Sequence, residues 1–66
     1  MNIGEAIDLM RDNRYVARSD WGHRVYVFLP PGTDIITYSH NGYDSPWVPS
    51  HQDLLGLDWQ EIIPHP

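Results

Sequence analysis

Residues 24–29, Arg-Val-Tyr-Val-Phe-Leu, predict a β-strand that is apolar on both faces. Side chains alternate along a strand, so the two valines and Leu29 share one face while Tyr26 and Phe28 share the other. A strand of this kind needs cover on both sides, and one helix covers only one face of a small sheet. We therefore expect the second face to meet a ligand or another subunit.

The segment before this strand predicts a short N-terminal helix. Its apolar residues recur at helical spacing and form one stripe: Ile3, Ala6, Ile7 and Met10. Asn2 is a favoured N-cap, and Glu5 three residues later completes a capping box. We expect the helix to end at Asp12-Asn13, before the next strand.

Further strands are predicted at 15–18 and 35–38, and Asn41-Gly42 is typical of a tight hairpin turn that leads back through Tyr43. The strands therefore form an antiparallel meander. Residues 19–23 form a loop.

The C-terminal third predicts an extended edge, a helical turn and a last strand. Residues 46–49 are extended because their prolines cannot donate to a central ladder. Ser50 and Asp53 have the spacing of a second capping box, which opens a brief helical turn closed at Gly56. Residues 59–63 then form a strand, and 64–66 a frayed end. The predicted fold class is α+β: one domain, 1–66, with an N-terminal helix packed on a small antiparallel sheet and a short helical turn before the last strand.

Length and composition exclude several classes of protein. The 66 residues, 7.7 kDa, fit a single domain and contain no cysteine, which excludes disulfides, thiolate metal sites and cysteine nucleophiles. A chain of this length buries only about 60% of the surface that its unfolded form exposes, so we expect oligomerisation to contribute to stability.

Charge and hydropathy limit the classes of partner that the chain is expected to bind. Nine acidic residues against four arginines give a net charge of -5, which disfavours polynucleotides and anionic membranes. No apolar stretch approaches the roughly 18 residues of a membrane span. We expect a cytoplasmic protein.

The sequence predicts neither a catalytic set nor a metal site or cofactor. None of the four histidines, at 23, 40, 51 and 65, has a histidine partner at helical spacing, and no serine lies in a Gly-x-Ser-x-Gly elbow. The aromatic residues carry more information, because Trp21 lies in a glycine-containing loop and Trp47 on a proline-flanked edge. The two rings either plug a small core or form a stacking platform for a nucleotide, with Arg18 and Arg24 as phosphate contacts. Composition does not choose between these interpretations.

Several short motifs occur in order along the chain: Ile3-Gly4-Glu5-Ala6-Ile7, Val16-Ala17-Arg18, Trp21-Gly22, the strand from Tyr26 to Leu29, and Trp-x-Pro-Ser-x-x-Asp-Leu-Leu-x-x-Asp-Trp from Trp47 to Trp59. This order resembles the phage-encoded Thoeris anti-defence proteins of the second type. The resemblance covers nearly the whole chain, and its most specific part is the C-terminal motif. The chain departs from the family between Pro30 and Asp44, where relatives have a longer connection.

The resemblance implies a function. Members of this family are small α+β homo-oligomers, typically tetramers, that act in the cytoplasm of the infected bacterium. They sequester a cyclic ADP-ribose-type immune signal, glycocyclic ADP-ribose, without cleaving it, and some also bind cyclic dinucleotides, the signals of CBASS immunity. The chain is then not an enzyme, and it needs no cofactor.

The resemblance also implies which residues bind the ligand. Trp21 and Trp47 are the aromatic walls of the pocket, with Phe28 beside them. The polar candidates are Arg18, Ser50, Gln52 and Asp53. The expected core residues of the C-terminal motif are Leu54, Leu55 and Trp59.

Some of these polar residues also have simpler explanations, since Ser50 and Asp53 are accounted for by capping and Arg18 by a surface pair with Asp20. Two other functions stay open. One is a protein-binding module that inhibits a host defence protein through an exposed aromatic patch, and the other is an enzyme that cleaves the signal.

Overall fold

The computed structural model describes residues 1–22 and 24–63. Its elements, in chain order, are α1 (Ile3–Arg11), β1 (Tyr15–Arg18), β2 (Val25–Phe28), β3 (Thr37–His40), β4 (Tyr43–Pro46), α2 (His51–Leu55) and β5 (Trp59–Ile62). The predicted α+β fold, with an N-terminal helix, an antiparallel sheet and a short helix before the last strand, is confirmed. The expectations for His23 and for a frayed end at 64–66 concern residues outside the described ranges.

Both helices begin at the predicted capping boxes. The side chain of Asn2 accepts a hydrogen bond from the amide of Glu5 at 2.9 Å, and the Glu5 carboxylate accepts one from the amide of Asn2 at 3.0 Å. Ser50 and Asp53 make the same reciprocal pair at the start of α2, at 3.1 and 2.9 Å. Each pair satisfies amides that have no partner within the helix, so the helix starts are fixed by residues three positions apart.

The strand order in the sheet is β4-β3-β2-β1-β5. Strands β1 to β4 form the predicted meander, and both residues of the Asn41-Gly42 turn have the positive φ angles, 53° and 88°, that a tight hairpin turn requires. Strand β5 lies at the opposite edge from β4 and pairs with β1, so α2 lies in a crossing connection. Strand β3 starts two residues later than predicted, since its pairing with β2 runs from Thr37 opposite Phe28 to His40 opposite Val25.

The core lies between the helices and one face of the sheet. It consists of Ala6, Met10, Val16, Val27 and Trp59. Trp59 is 2% exposed, as expected, but the assignment of Leu54 and Leu55 to the core is wrong, because they are 44% and 80% exposed. Helix α2 has only five residues, and Asp53 rather than a leucine makes its contacts with the sheet side.

The other face of the sheet carries aromatic residues that are the chain neighbours of the core residues Val16 and Val27. The ring of Tyr15 lies 5.3 Å from that of Tyr26 and 5.2 Å from that of Phe28. Neither α1 nor α2 covers these rings, because both helices pack on the Val16 and Val27 side. This aromatic face is the second apolar side of β2 for which the sequence predicted a ligand or a second subunit.

Candidate ligand-binding cleft

Three tryptophans form one cluster on the helix side of the sheet. Trp59 is buried, and the ring of Trp21 lies 5.3 Å from it at an interplanar angle of 78°. Trp47 approaches Trp59 at 5.7 Å and 86°. Trp59 therefore forms a floor against which two partly exposed indoles stand nearly perpendicular, an arrangement that aromatic pairs favour.

Backbone hydrogen bonds position these rings. The amide of Trp21 donates to the carbonyl of Arg18 at 3.0 Å in the turn that follows β1. The amide of Trp47 donates to the carbonyl of Ile36 at 2.9 Å, which extends the pairing of the β3–β4 edge beyond β4. The indole Nε1 of Trp59 donates to the carbonyl of Asp53 at 2.9 Å and ties the floor to α2.

An open cleft of about 270 Å³ lies over this cluster. Its lining residues are Trp21, Tyr38, Pro46, Trp47, Val48 and Asp53. The ring of Tyr38 stands edge-on to that of Trp21 at 5.8 Å, so aromatic rings form more than one wall. The volume lies just below the roughly 300–1,000 Å³ that is typical of small-molecule sites.

A cluster of charged residues supports the cleft from the side of β1. Arg18 donates from Nε to Asp58 at 3.0 Å and from Nη1 to Asp53 at 3.3 Å, while the hydroxyl of Ser19 donates to Asp58 at 2.9 Å. The hydrogen bond to Asp58 is the main cause that raises the pKa of Arg18. The Ser19 hydroxyl, followed by Arg18, holds the pKa of Asp58 below its ordinary value. These contacts tie β1 to α2 and to the start of β5.

A comparison with known protein families finds a match that covers most of the chain. The Tad2-like domain, described as the Thoeris anti-defense 2-like domain, matches residues 1–62. The chain belongs to the Tad2-like family. The match spans both helices, all five strands and every residue that lines the cleft, so the resemblance inferred from the sequence motifs is confirmed. A comparison with curated proteins gives no match. Membership of the family gives the chain a Thoeris anti-defence role.

Three of the predicted site residues of this Tad2-like chain meet at the cleft: Trp21, Trp47 and Asp53. Ser50 and Gln52 lie nearby on exposed positions at the start of α2, and neither belongs to the described lining. The structure accounts for Ser50 by its role as the cap of α2.

Two predicted site residues lie elsewhere. Phe28 does not lie beside the tryptophans: its neighbour Val27 points into the core, so Phe28 points to the aromatic face on the opposite side of the sheet. Arg18 is near the cleft, but it is paired with Asp53 and Asp58 rather than with Asp20.

Sequence reasoning missed Tyr38 as a wall of the cleft. Tyr38 lies opposite Val27 in the β2–β3 ladder and therefore shares its face of the sheet. The alternation of β2 indicated which of its residues face inward, but only the pairing register shows that Tyr38 lies across from one of them.

The described part of the Tad2-like chain offers no group of three side chains that could hold a metal ion. Within the same residues, no helix is both long enough and apolar enough to cross a membrane.

Proposed function

We propose that this Tad2-like protein binds a cyclic ADP-ribose-type signal, glycocyclic ADP-ribose, and holds it without cleaving it. The observation that carries the proposal is the cleft lined by Trp21 and Trp47, each of which packs against the buried Trp59. Stacking of a base on an aromatic side chain contributes about 1–3 kcal/mol, and it suits any ligand that contains a nucleobase. The anti-defence role of the family supports a ligand that carries an immune signal.

Sequestration fits the chemistry of the lining better than catalysis. The described walls are aromatic or apolar except for Asp53, whose carboxylate already accepts hydrogen bonds from Arg18 and from the Ser50 amide. A protein that only withholds a signal needs affinity and no reacting group. A dissociation constant below about 1 μM, roughly -8 kcal/mol, is the useful range.

A second copy of the chain completes the site in this proposal. The cleft of one chain is open, and the chain's aromatic face and exposed leucines on α2 give it apolar surface to bury. We propose a homo-oligomer, typically a tetramer in this family, that acts in the cytoplasm of the infected bacterium where the signal is made. Cyclic dinucleotides are the second class of ligand to test.

The decisive experiment mixes purified protein with cyclic ADP-ribose isomers and cyclic dinucleotides, removes free ligand, denatures the complex with heat and identifies the released compound by mass spectrometry. We expect intact glycocyclic ADP-ribose at a fixed ratio per chain. Consumption of the ligand at substoichiometric protein would instead show an enzyme. Retention of none of these nucleotides would contradict the proposal and direct the search to a protein partner.

Two variants test whether the cleft is the site. Trp47→Leu removes one wall and is expected to lower affinity at least about fivefold, the loss of one stacked base. Tyr43→Leu is the matched control, because Tyr43 is an exposed aromatic residue of β4 that does not line the cleft. Equal affinity in both variants, with folding verified by circular dichroism, would show that the cleft is not the site.

A further inference from the structure

The charge of the cleft is opposite to what a phosphate site requires. Within the described residues, Asp53 is the only charged residue in the lining, and its formal charge is negative. The chain as a whole carries a net charge of -5, which adds to the repulsion of an anion. A phosphate group in the part of the cleft that one chain forms would therefore meet a carboxylate and no lining cation.

Arg18 is the nearest cation that the contacts identify, and it is already engaged. Its Nε and Nη1 donate to Asp58 and Asp53, and its side chain is only 17% exposed. Gly56 packs against this pair: a Cβ atom at that position would lie 3.1 Å from Nε of Arg18 and 3.0 Å from a carboxylate oxygen of Asp58. To reach a phosphate, Arg18 would have to leave two carboxylates and a closely packed backbone.

The same lining suits the uncharged part of a nucleotide. Aromatic walls stack on a base, and the Asp53 carboxylate has acceptor capacity left, because each of its oxygens accepts one hydrogen bond and can accept a second. An amino group on the ring edge of a base is a donor that matches this acceptor, whereas a phosphate oxygen is a further acceptor.

We infer that the cleft takes the aminopurine base of its ligand, that Asp53 accepts a hydrogen bond from the amino group of that base, and that the phosphates stay outside the cleft. The inference rests on the proposed function for the presence of an adenine-containing ligand. It assigns Asp53 as a specificity-determining residue and Arg18 as a positioning residue that holds Asp53 in place.

The test uses three small probes that represent parts of the ligand. Adenosine contains the base and its amino group, purine riboside is the same nucleoside without the amino group, and ribose 5-phosphate contains the charged group without a base. Each probe is titrated against tryptophan fluorescence of the wild-type protein and is also used to displace bound cyclic ADP-ribose. We expect adenosine to bind roughly tenfold or more tightly than purine riboside, the worth of one hydrogen bond to a charged group, and ribose 5-phosphate to bind least.

A pair of variants assigns the preference to Asp53. In Asp53→Asn, the ratio of the adenosine and purine riboside affinities is expected to fall toward one. In the control Asp44→Asn, on the exposed edge strand β4, it is expected to stay at the wild-type value. If Asp53→Asn does not fold, the comparison of the two nucleosides on the wild-type protein still decides the inference.

Separate results bear on the inference and on the proposed function. Equal binding of adenosine and purine riboside, or stronger binding of ribose 5-phosphate than of adenosine, would overturn the inference even if the cyclic nucleotide is retained. Failure to retain any cyclic nucleotide would overturn the proposed function, while the direct titrations of the nucleosides would still test the preference of the cleft.

Discussion

Asp53 connects three parts of the molecule through three different groups of atoms. One carboxylate oxygen accepts from the Ser50 amide, the other accepts from Arg18, and the backbone carbonyl accepts from the indole of Trp59. The cap of α2, the charged cluster and the contact with the buried Trp59 therefore share one residue. We expect a change at the cap to affect the cleft, because Asp53 belongs to both.

Replacement of Ser50 tests this connection. Ser50→Ala removes the hydroxyl that accepts from the Asp53 amide, and loss of a helix cap costs about 1 kcal/mol in the free energy of unfolding. Ser50→Asp keeps a capping oxygen and is expected to restore both stability in urea and affinity for the nucleotide. An unchanged unfolding free energy in Ser50→Ala would contradict the capping role. Loss of affinity in a fully stable Ser50→Asp would show that the hydroxyl contacts the ligand.

Separation along the chain explains which residue roles could be predicted. The capping partners lie three positions apart, so the sequence alone identified Ser50 with Asp53. Arg18 meets Asp53 and Asp58 across 35 and 40 residues, and no local pattern encodes that pairing. The interpretation of Arg18 as a phosphate contact rests on its charge and on its position beside the Trp21 loop, and neither property indicates its acidic partners.

At the level of elements, local sequence predicts where a strand lies along the chain, but it does not predict the register in which that strand pairs with its neighbours. The alternation in β2 predicted two apolar faces, but which face meets α1 depends on the pairing of Val27 with Val16 and Tyr38. The family resemblance implies that Phe28 lies beside the tryptophans, but the register puts Phe28 on the opposite face. The position of helix α2 along the chain was likewise predicted correctly. The exposure of Leu55 was not, because none of the five residues of α2 is fully buried.

The charged cluster that joins β1, α2 and β5 predicts how stability depends on pH. The pKa of Asp58 is lower in the folded than in the unfolded chain, so its carboxylate contributes stability that is present above the unfolded pKa, about 3.9. That contribution is lost as the pH falls through the lower folded value. Asp58→Asn is expected to be less stable at neutral pH and to lose less stability on acidification below about pH 4.

Urea unfolding of both proteins at a series of pH values measures this difference. Asp44→Asn is the control, because Asp44 is an exposed residue of the edge strand β4, and it should keep the wild-type profile. Parallel profiles for the wild type and Asp58→Asn would show that the Ser19 and Arg18 contacts do not hold the carboxylate in solution.

For the molecule as a whole, the main feature is that the helices cover only one face of the sheet. Both helices and the hydrophobic core cluster lie on one face, and the Tyr15, Tyr26 and Phe28 rings lie on the other, together with the small buried residues Ala17 and Ser39. A chain of 66 residues has little core to spare, so burial of this second face against another copy would contribute to its stability. Each copy carries -5 charges, so added salt is expected to favour association by screening their repulsion.

Phe28→Glu tests the aromatic face as a contact between copies. The variant places a charge among the rings and is expected to lower the molecular mass in solution, measured by sedimentation at several salt concentrations. Ile35→Glu is the control, since Ile35 is an exposed residue of the loop before β3. Circular dichroism verifies that both variants fold. An unchanged mass for Phe28→Glu would show that the copies meet through another surface.

The nearly perpendicular tryptophans also provide an intrinsic spectroscopic signal for occupancy of the cleft. The indole centroids lie 5.3 and 5.7 Å apart, close enough for their transition dipoles to couple, and rings that are not coplanar allow this coupling to have a rotational strength. The ultraviolet circular dichroism of the folded chain should therefore contain an exciton band from Trp59 and its two neighbours. A base that entered the cleft beside Trp21 and Trp47 would add a fourth chromophore to the coupled set, so occupancy of the cleft could be followed without any label.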